Sequence, residues 1–204
     1  MFDSLATAFV AWGYEVTFLE LGAVITAFLG IGLAIRGTRW AWPFYFLSSL
    51  LYGWLLWEFA LYGTAALQLV FMASAIWGWF GWGPKGIAPT TLSSRSRLFI
   101  VTGGAVAWLA LVPVLAAIGD PAPWPDTFVF VFSVIAQILM VREFAEAWLM
   151  WIVVNVVGVA LYATQSLWFT SLFYAVLIIM AIVGWRSWQA RRAPLSESAI
   201  PVTA

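Results

Sequence analysis

Between residues 146 and 164, Trp148, Trp151, Asn155, Gly158 and Tyr162 recur at spacings of 3, 4, 3 and 4. On a helix these residues share one face. Trp42, Tyr45, Ser49, Tyr52 and Leu56 form a second stripe of the same period. Aromatic faces stack on a flat ring, and a carboxamide both donates and accepts, so it can read a hydroxyl or another amide. Gln68 and Gln137 add two more amides, with Ser133 one helical turn from Gln137. The chemistry is recognition of a small, flat, polar molecule. Its expected contact residues are Tyr45, Ser49, Tyr52, Gln68, Gln137, Trp148, Trp151 and Asn155. The competing reading of the amides is hydrogen bonding between helices. For Trp42 and Trp148 it is a place in an interfacial aromatic belt. Ser48, Ser74 and Ser171 are expected to bond to their own helices.

The absent residue types narrow the chemistry further. The chain has no cysteine and no histidine. That removes thiol nucleophiles, disulfides, iron–sulfur and haem ligation, most zinc sites and the Ser-His-Asp triad. No catalytic constellation remains at depth, so the chain reads as a non-enzyme with no metal and no cofactor. The formal net charge is zero, which offers nothing to nucleic acid. The one lysine, Lys85, lies outside the apolar runs, so a buried Schiff base is excluded. No ionisable side chain falls near the middle of any apolar run. A proton relay needs one there, so passive movement is favoured over proton coupling.

These residues must be positioned in a bilayer. Of 204 residues, 64% are hydrophobic and 9% charged, with mean hydropathy +0.98. A soluble domain is nearer half apolar and a quarter charged. At roughly 20 residues per span the length allows about seven spans. They are expected at 17–36, 40–58, 62–82, 98–118, 127–142, 146–164 and 167–186. The residues before the first span are expected as a short interfacial helix or as frayed chain. All nine basic residues then fall on one side: Arg36, Arg39, Lys85, Arg95, Arg97, Arg142, Arg186, Arg191 and Arg192. The other side carries Asp3, Glu15, Glu20, Glu58, Asp120 and Asp126. The excess of basic residues on the inner side predicts the N-terminus outside and the C-terminus inside.

The sequence also matches itself at a shift of 106, the separation of Trp42 from Trp148. AIWGWFGW at 75–82 aligns with AIVGWRSW at 181–188, and Arg36, Ala41, Thr64 and Glu20 align with Arg142, Ala147, Thr170 and Asp126. An odd span between the blocks keeps both the same way up, a parallel repeat about an axis along the membrane normal. The fold class expected is therefore an all-α integral membrane protein, 3+1+3. The first three-helix repeat covers 17–83 and the second 126–188. A polar cytoplasmic linker plus a connecting helix covers 84–125, and a disordered cytoplasmic tail covers 189–204.

The run PWPDTFVFVFSVIAQILMVREFAEAWLMWIVVNVVGVALYATQSLWFTSLFYAVLIIMAIVGWRSW resembles the second half of the PnuC family of bacterial vitamin transporters. Its most specific part is the Trp148, Trp151, Asn155 motif. LYGTAALQ and IWGWFGW resemble the first half, with Gln68 in its place. The resemblance runs from Glu20 to Trp188. It implies a seven-span fold similar to SWEET sugar transporters, in the bacterial inner membrane. It implies import of nicotinamide riboside by facilitated diffusion, with a cytosolic kinase as functional partner that traps the vitamin. The aromatic cleft would then hold a pyridinium by cation–π contact. Ala147 stands where many riboside members have Asn. The Pro-Trp-Pro-Asp at 123–126 and Trp-Ala-Trp-Pro at 40–43 resemble riboflavin-type members, so thiamine and riboflavin remain alternative cargoes. A non-transporting membrane scaffold or sensor is the alternative of another class. The sequence is compatible with a homo-oligomer.

Overall fold

The computed structural model describes residues 6–11, 13–58, 62–164 and 168–192. Within them a short hairpin, β1 Thr7–Ala11 and β2 Tyr14–Thr17, precedes seven helices. These are α1 Phe18–Ile35, α2 Ala41–Glu58, α3 Tyr62–Gly81, α4 Ser94–Ala117, α5 Pro123–Val141, α6 Glu146–Thr164 and α7 Trp168–Arg191. Helices α1, α4, α5, α6 and the Thr170–Arg191 part of α7 are long and apolar enough to cross a membrane. This is an all-α membrane protein carrying one small hairpin. Helix α2 has the same 18 residues as α1 but spends them on Trp42, Trp54, Trp57, Tyr45, Tyr52, Ser48 and Ser49. Trp and Tyr lower hydropathy while remaining at home in a bilayer. In α3 the apolar stretch is Leu67–Gly81.

The hairpin corrects the expected interfacial helix or frayed start. Its strands pair Phe9 with Val16 and Val10 with Glu15, and Gly13 takes φ 79° in the turn. Val16 is buried, and Thr17 caps α1 by accepting from the Glu20 backbone N–H. The Tyr14 hydroxyl donates to both carboxylate oxygens of Glu20 at 3.0 and 3.1 Å. Burial and the nearby Glu20 charge push that hydroxyl up to about 12, so it stays a donor at neutral pH.

Three helix ends move from their expected places. Helix α4 starts at Ser94 because the Ser93 side chain accepts from the Ser96 N–H, so the polar linker is shorter than 84–97. Helix α5 starts at Pro123, a residue pre-set for a first helical turn. Helix α7 continues to Arg191, where Ser187, Trp188 and Arg191 bond to the end of α1. The expected tail therefore begins later than 189, and from 193 it lies outside the described residues.

Helices α1, α2 and α3 pack in succession, as do α5, α6 and α7, and α4 leans on α5. Gly104 makes that last contact close: a Cβ there would sit 2.8 Å from the Phe132 ring. The two groups meet where α1 packs on α7 and α3 on α5.

Residues that align at the shift of 106 make matching contacts. Gly78 lies beneath the Trp42 ring and its counterpart Gly184 beneath Trp148. A Cβ at either position would overlap an indole. Gly37 and its counterpart Glu143 both adopt left-handed backbone, at φ 65° and 61°, where the first helix of each group ends. The side chain of Glu143 departs from the usual glycine, costing about 1–2 kcal/mol. The linker helps to hold it there. Thr90 N–H donates to the Glu143 carbonyl and Ala88 N–H to its carboxylate. Ile87 N–H donates to the Gly37 carbonyl, so the linker is bonded to both counterpart turns.

Candidate functional site

The two aromatic stripes end in a single indole column. Trp42 meets Trp82 at 4.9 Å, Trp82 meets Trp188 at 5.7 Å, and Trp188 meets Trp148 at 5.6 Å, all edge to face. All four are buried. This places Trp42 and Trp148 in the protein core, which corrects the belt reading of both. Trp82 Nε1 donates to the carbonyls of Met140 and Val141 at 3.3 and 3.2 Å. Trp188 Nε1 donates to the Ala34 carbonyl at 2.9 Å. Met140 and Ala34 are counterparts in the repeat, so the bonds are reciprocal. The indole N–H groups of Trp42 and Trp148 are buried and have no partner among the described residues.

Two turns along α6 from Trp148, Asn155 is 3% exposed. Ser49, Gln68, Ser133 and Gln137 are buried as well. Among the described residues none of these five side chains hydrogen-bonds to another protein group. By contrast, Ser74 bonds to its own helix at Val70, as expected. Ser48 and Ser171 do not: Ser48 donates to Ala23 on α1 and Ser171 to Val159 on α6. Those two serines join neighbouring helices because small residues let the backbones approach. Buried amides that act as glue should show such bonds, and Gln68, Gln137 and Asn155 do not.

The remaining expected contact residues border this set. Tyr45 lies across Gly30, where a Cβ would be 2.8 Å from its ring, and meets Trp42 edge-on at 5.6 Å. Trp151 is half-buried and touches both the indole core and the smaller cluster of Val131, Phe132 and Val154. Gln68 packs against Gly53, which brings α2 and α3 together beside it. Tyr52 keeps 37% of its surface accessible and lies within electrostatic reach of Tyr162 and Glu20. Trp148 differs from the others, since Gly184 and Trp188 already cover its ring.

Sequence reasoning missed Trp82 and Trp188 as members of the site. The signal was present in the Gly-Trp-x-x-Trp ending of both blocks, which marked the repeat without revealing a shared core. A surface groove of about 750 Å³ lies elsewhere, between α1 and α2 along Phe28, Leu29, Gly32, Trp40 and Phe44. It is apolar and contains none of the expected contact residues.

At the basic end, Glu146 is buried and accepts from Arg97 Nη2 at 2.7 Å and from the Leu92 N–H at 3.1 Å. Among the described residues no group of acidic side chains could hold a metal ion.

Comparison with known proteins fits this arrangement. Residues 17–190 match the family described as nicotinamide mononucleotide transporter. The nicotinamide riboside transporter PnuC of Escherichia coli (strain K12) is 28% identical over 214 aligned positions, covering 87% of each chain. The riboflavin/roseoflavin transporter RibM of Streptomyces davaonensis is 30% identical over 198 positions, covering 90% of each. The crystal structure of the vitamin B3 transporter PnuC matches with a TM-score of 0.71 and 25% identity, over 85% of this chain and 81% of that one. With its helices built for a bilayer and the family match covering nearly all of them, the chain belongs to the PnuC family of transporters, as a multi-pass protein of the bacterial inner membrane.

Proposed function

We propose that this protein imports nicotinamide riboside by facilitated diffusion, as a uniporter, and that a cytosolic kinase then traps the vitamin by phosphorylation. One observation carries the reading. Ser49, Gln68, Ser133, Gln137 and Asn155 are buried residues that make no side-chain hydrogen bond among the described residues, yet their polar atoms are not among those sealed off without a partner. Polar atoms that neither bond to protein nor are sealed from solvent are free to take a ligand's donors and acceptors. The carboxamide and ribose hydroxyls of the riboside supply donors and acceptors for amides and hydroxyls. Its pyridinium suits the faces of Tyr45 and Trp151. The charged side chains of the described helices sit in or near their terminal turns, Arg186 lying deepest. No cation therefore stands beside the amides to balance a phosphate. This favours the riboside over its mononucleotide, and passive movement over proton coupling.

In this reading seven spans form two parallel three-helix repeats joined by α4, a 3+1+3 arrangement similar to SWEET transporters. The N-terminus is outside and the basic end faces the cytoplasm. The repeats rock about a common axis, with the cargo held between them. Tyr45, Ser49, Tyr52, Gln68, Gln137, Trp151 and Asn155 contact it, and Trp148 sets the floor. Riboflavin is the second reading, favoured by the 30% identity with RibM over nearly the whole chain.

The test is uptake into liposomes containing the purified protein, with nicotinamide riboside, thiamine and riboflavin each offered with and without a protonophore. The riboside is expected to enter down its gradient, unaffected by the protonophore. Entry of riboflavin alone would move the assignment to the second reading, and entry of none would favour a scaffold or sensor.

A further inference from the structure

The tryptophan column blocks the axis on which such a transporter carries its cargo. Trp82 and Trp188 are counterparts in the repeat, and they touch each other at 5.7 Å. Counterpart residues in contact must straddle the symmetry axis, so this pair sits on it. Both rings are buried, at 1% and 0% exposure. Each donates across the boundary, Trp82 to Met140 and Val141 and Trp188 to Ala34. Ser187 reinforces the second bond by donating to the Ile35 carbonyl at 2.9 Å. Nothing the size of a nucleoside passes between rings in edge contact.

Resting on the transport reading and its orientation, we propose that Trp82 and Trp188, with the last-turn carbonyls of α5 and α1 that they cross to, form the cytoplasmic gate of the transport path. The acceptors suit that role. Ala34 and Ile35 end α1, and Met140 and Val141 end α5. The Ala34 and Met140 carbonyls also accept from the Gly37 N–H at 2.8 Å and the Glu143 N–H at 3.1 Å. They keep those backbone bonds when the indole N–H withdraws, so each state leaves them satisfied. The edge-to-face rings slide apart without unthreading. The linker, bonded to both Gly37 and Glu143, spans the same end as a strap.

The test uses the natural absence of cysteine, so that thiol reagents meet only introduced residues. Ile35→Cys with Ser187→Cys forms one pair, and the counterpart pair is Val141→Cys with Gly81→Cys. Gly81 already lies beside Val141, its built Cβ 3.9 Å from that carbonyl. The second pair serves if the first fails to fold. Each pair is bridged in proteoliposomes with a short, reducible bis-methanethiosulfonate. Nicotinamide riboside uptake and its thermal stabilisation of the protein are both read. Bridging is expected to lower uptake roughly tenfold or more, because the gate is held shut and cannot open. Stabilisation by the riboside persists, since outer access is retained, and a reductant restores uptake. Undiminished uptake by a fully bridged pair would overturn the gate and make the contact a fixed pivot. Loss of stabilisation along with uptake would overturn it too, by placing the bridge in the binding site. A wild-type chain that neither binds nor moves the riboside refutes the transport reading itself.

Discussion

Replacing Asn155 by leucine separates ligand recognition from helix packing, because the two readings predict opposite signs. The residue is 3% exposed, its side chain makes no hydrogen bond among the described residues, and its amide atoms are not among those sealed off without a partner. An amide that bonds to no protein group and is not sealed from solvent contributes little to stability, so leucine of similar volume removes no packing bond. The empty transporter should therefore be unchanged or more stable by about 1 kcal/mol, a rise in Tm of roughly 2–4 °C for a chain of this length. Binding should move the other way. Two lost hydrogen bonds to neutral ligand groups amount to about 1–3 kcal/mol, or roughly a 5- to 150-fold weaker Kd. The assay pairs thermal unfolding of the ligand-free protein, followed by tryptophan fluorescence, with riboside titration of the same sample. A Tm lower by more than about 4 °C with an unchanged Kd would refute the reasoning. Asn155 would then be stabilising the helix bundle and not reading cargo.

Gly184→Ala should cost about 1–3 kcal/mol, because its Cβ would meet three atoms of the Trp148 ring and that ring has no room to retreat. Gly103→Ala, where nothing lies within 4 Å, is the control and should be neutral or slightly stabilising; equal Tm values for the two would refute the packing account. Glu146→Ala should lower stability by about 1–3 kcal/mol through the unpaired Leu92 N–H and the lost Arg97 bond. Arg97→Ala should cost less than about 1 kcal/mol, since its side chain is 52% exposed; the reverse order in thermal unfolding would contradict the assignment.

The candidate site was legible in the sequence to the extent that helical period exposes it. The spacing of Trp148, Trp151 and Asn155 put them on one face, and α6 occupies Glu146–Thr164 as expected. The amides Gln68, Gln137 and Asn155 were expected at depth and are buried. The partners of Ser48 and Ser171 were not legible, because a hydroxyl can reach a carbonyl of its own helix or one of a neighbour, and only packing decides which. The hairpin was hidden for a related reason. Thr7–Ala11 and Tyr14–Thr17 are short and mostly apolar, and pairing across Gly13 selects strand over helix. Helix ends were shifted where a cap or a distant bond fixed them, as Ser93 does for α4 and Trp188 for α7.

By itself, the sequence determined that this is a helical membrane protein, that it matches itself at a fixed shift, and that its polar groups at depth are neutral. Those properties follow from composition, period and self-similarity, all of which are local or additive along the chain. Only the tertiary structure decided which tryptophans face lipid and which form the core. Lipid tails and protein interior are equally apolar, so hydropathy cannot distinguish them. Trp40 is 58% exposed while Trp42, two residues on, is fully buried. The difference arises because Gly78 admits the Trp42 ring and Trp82 closes over it, contacts that exist only once α2 and α3 are packed together.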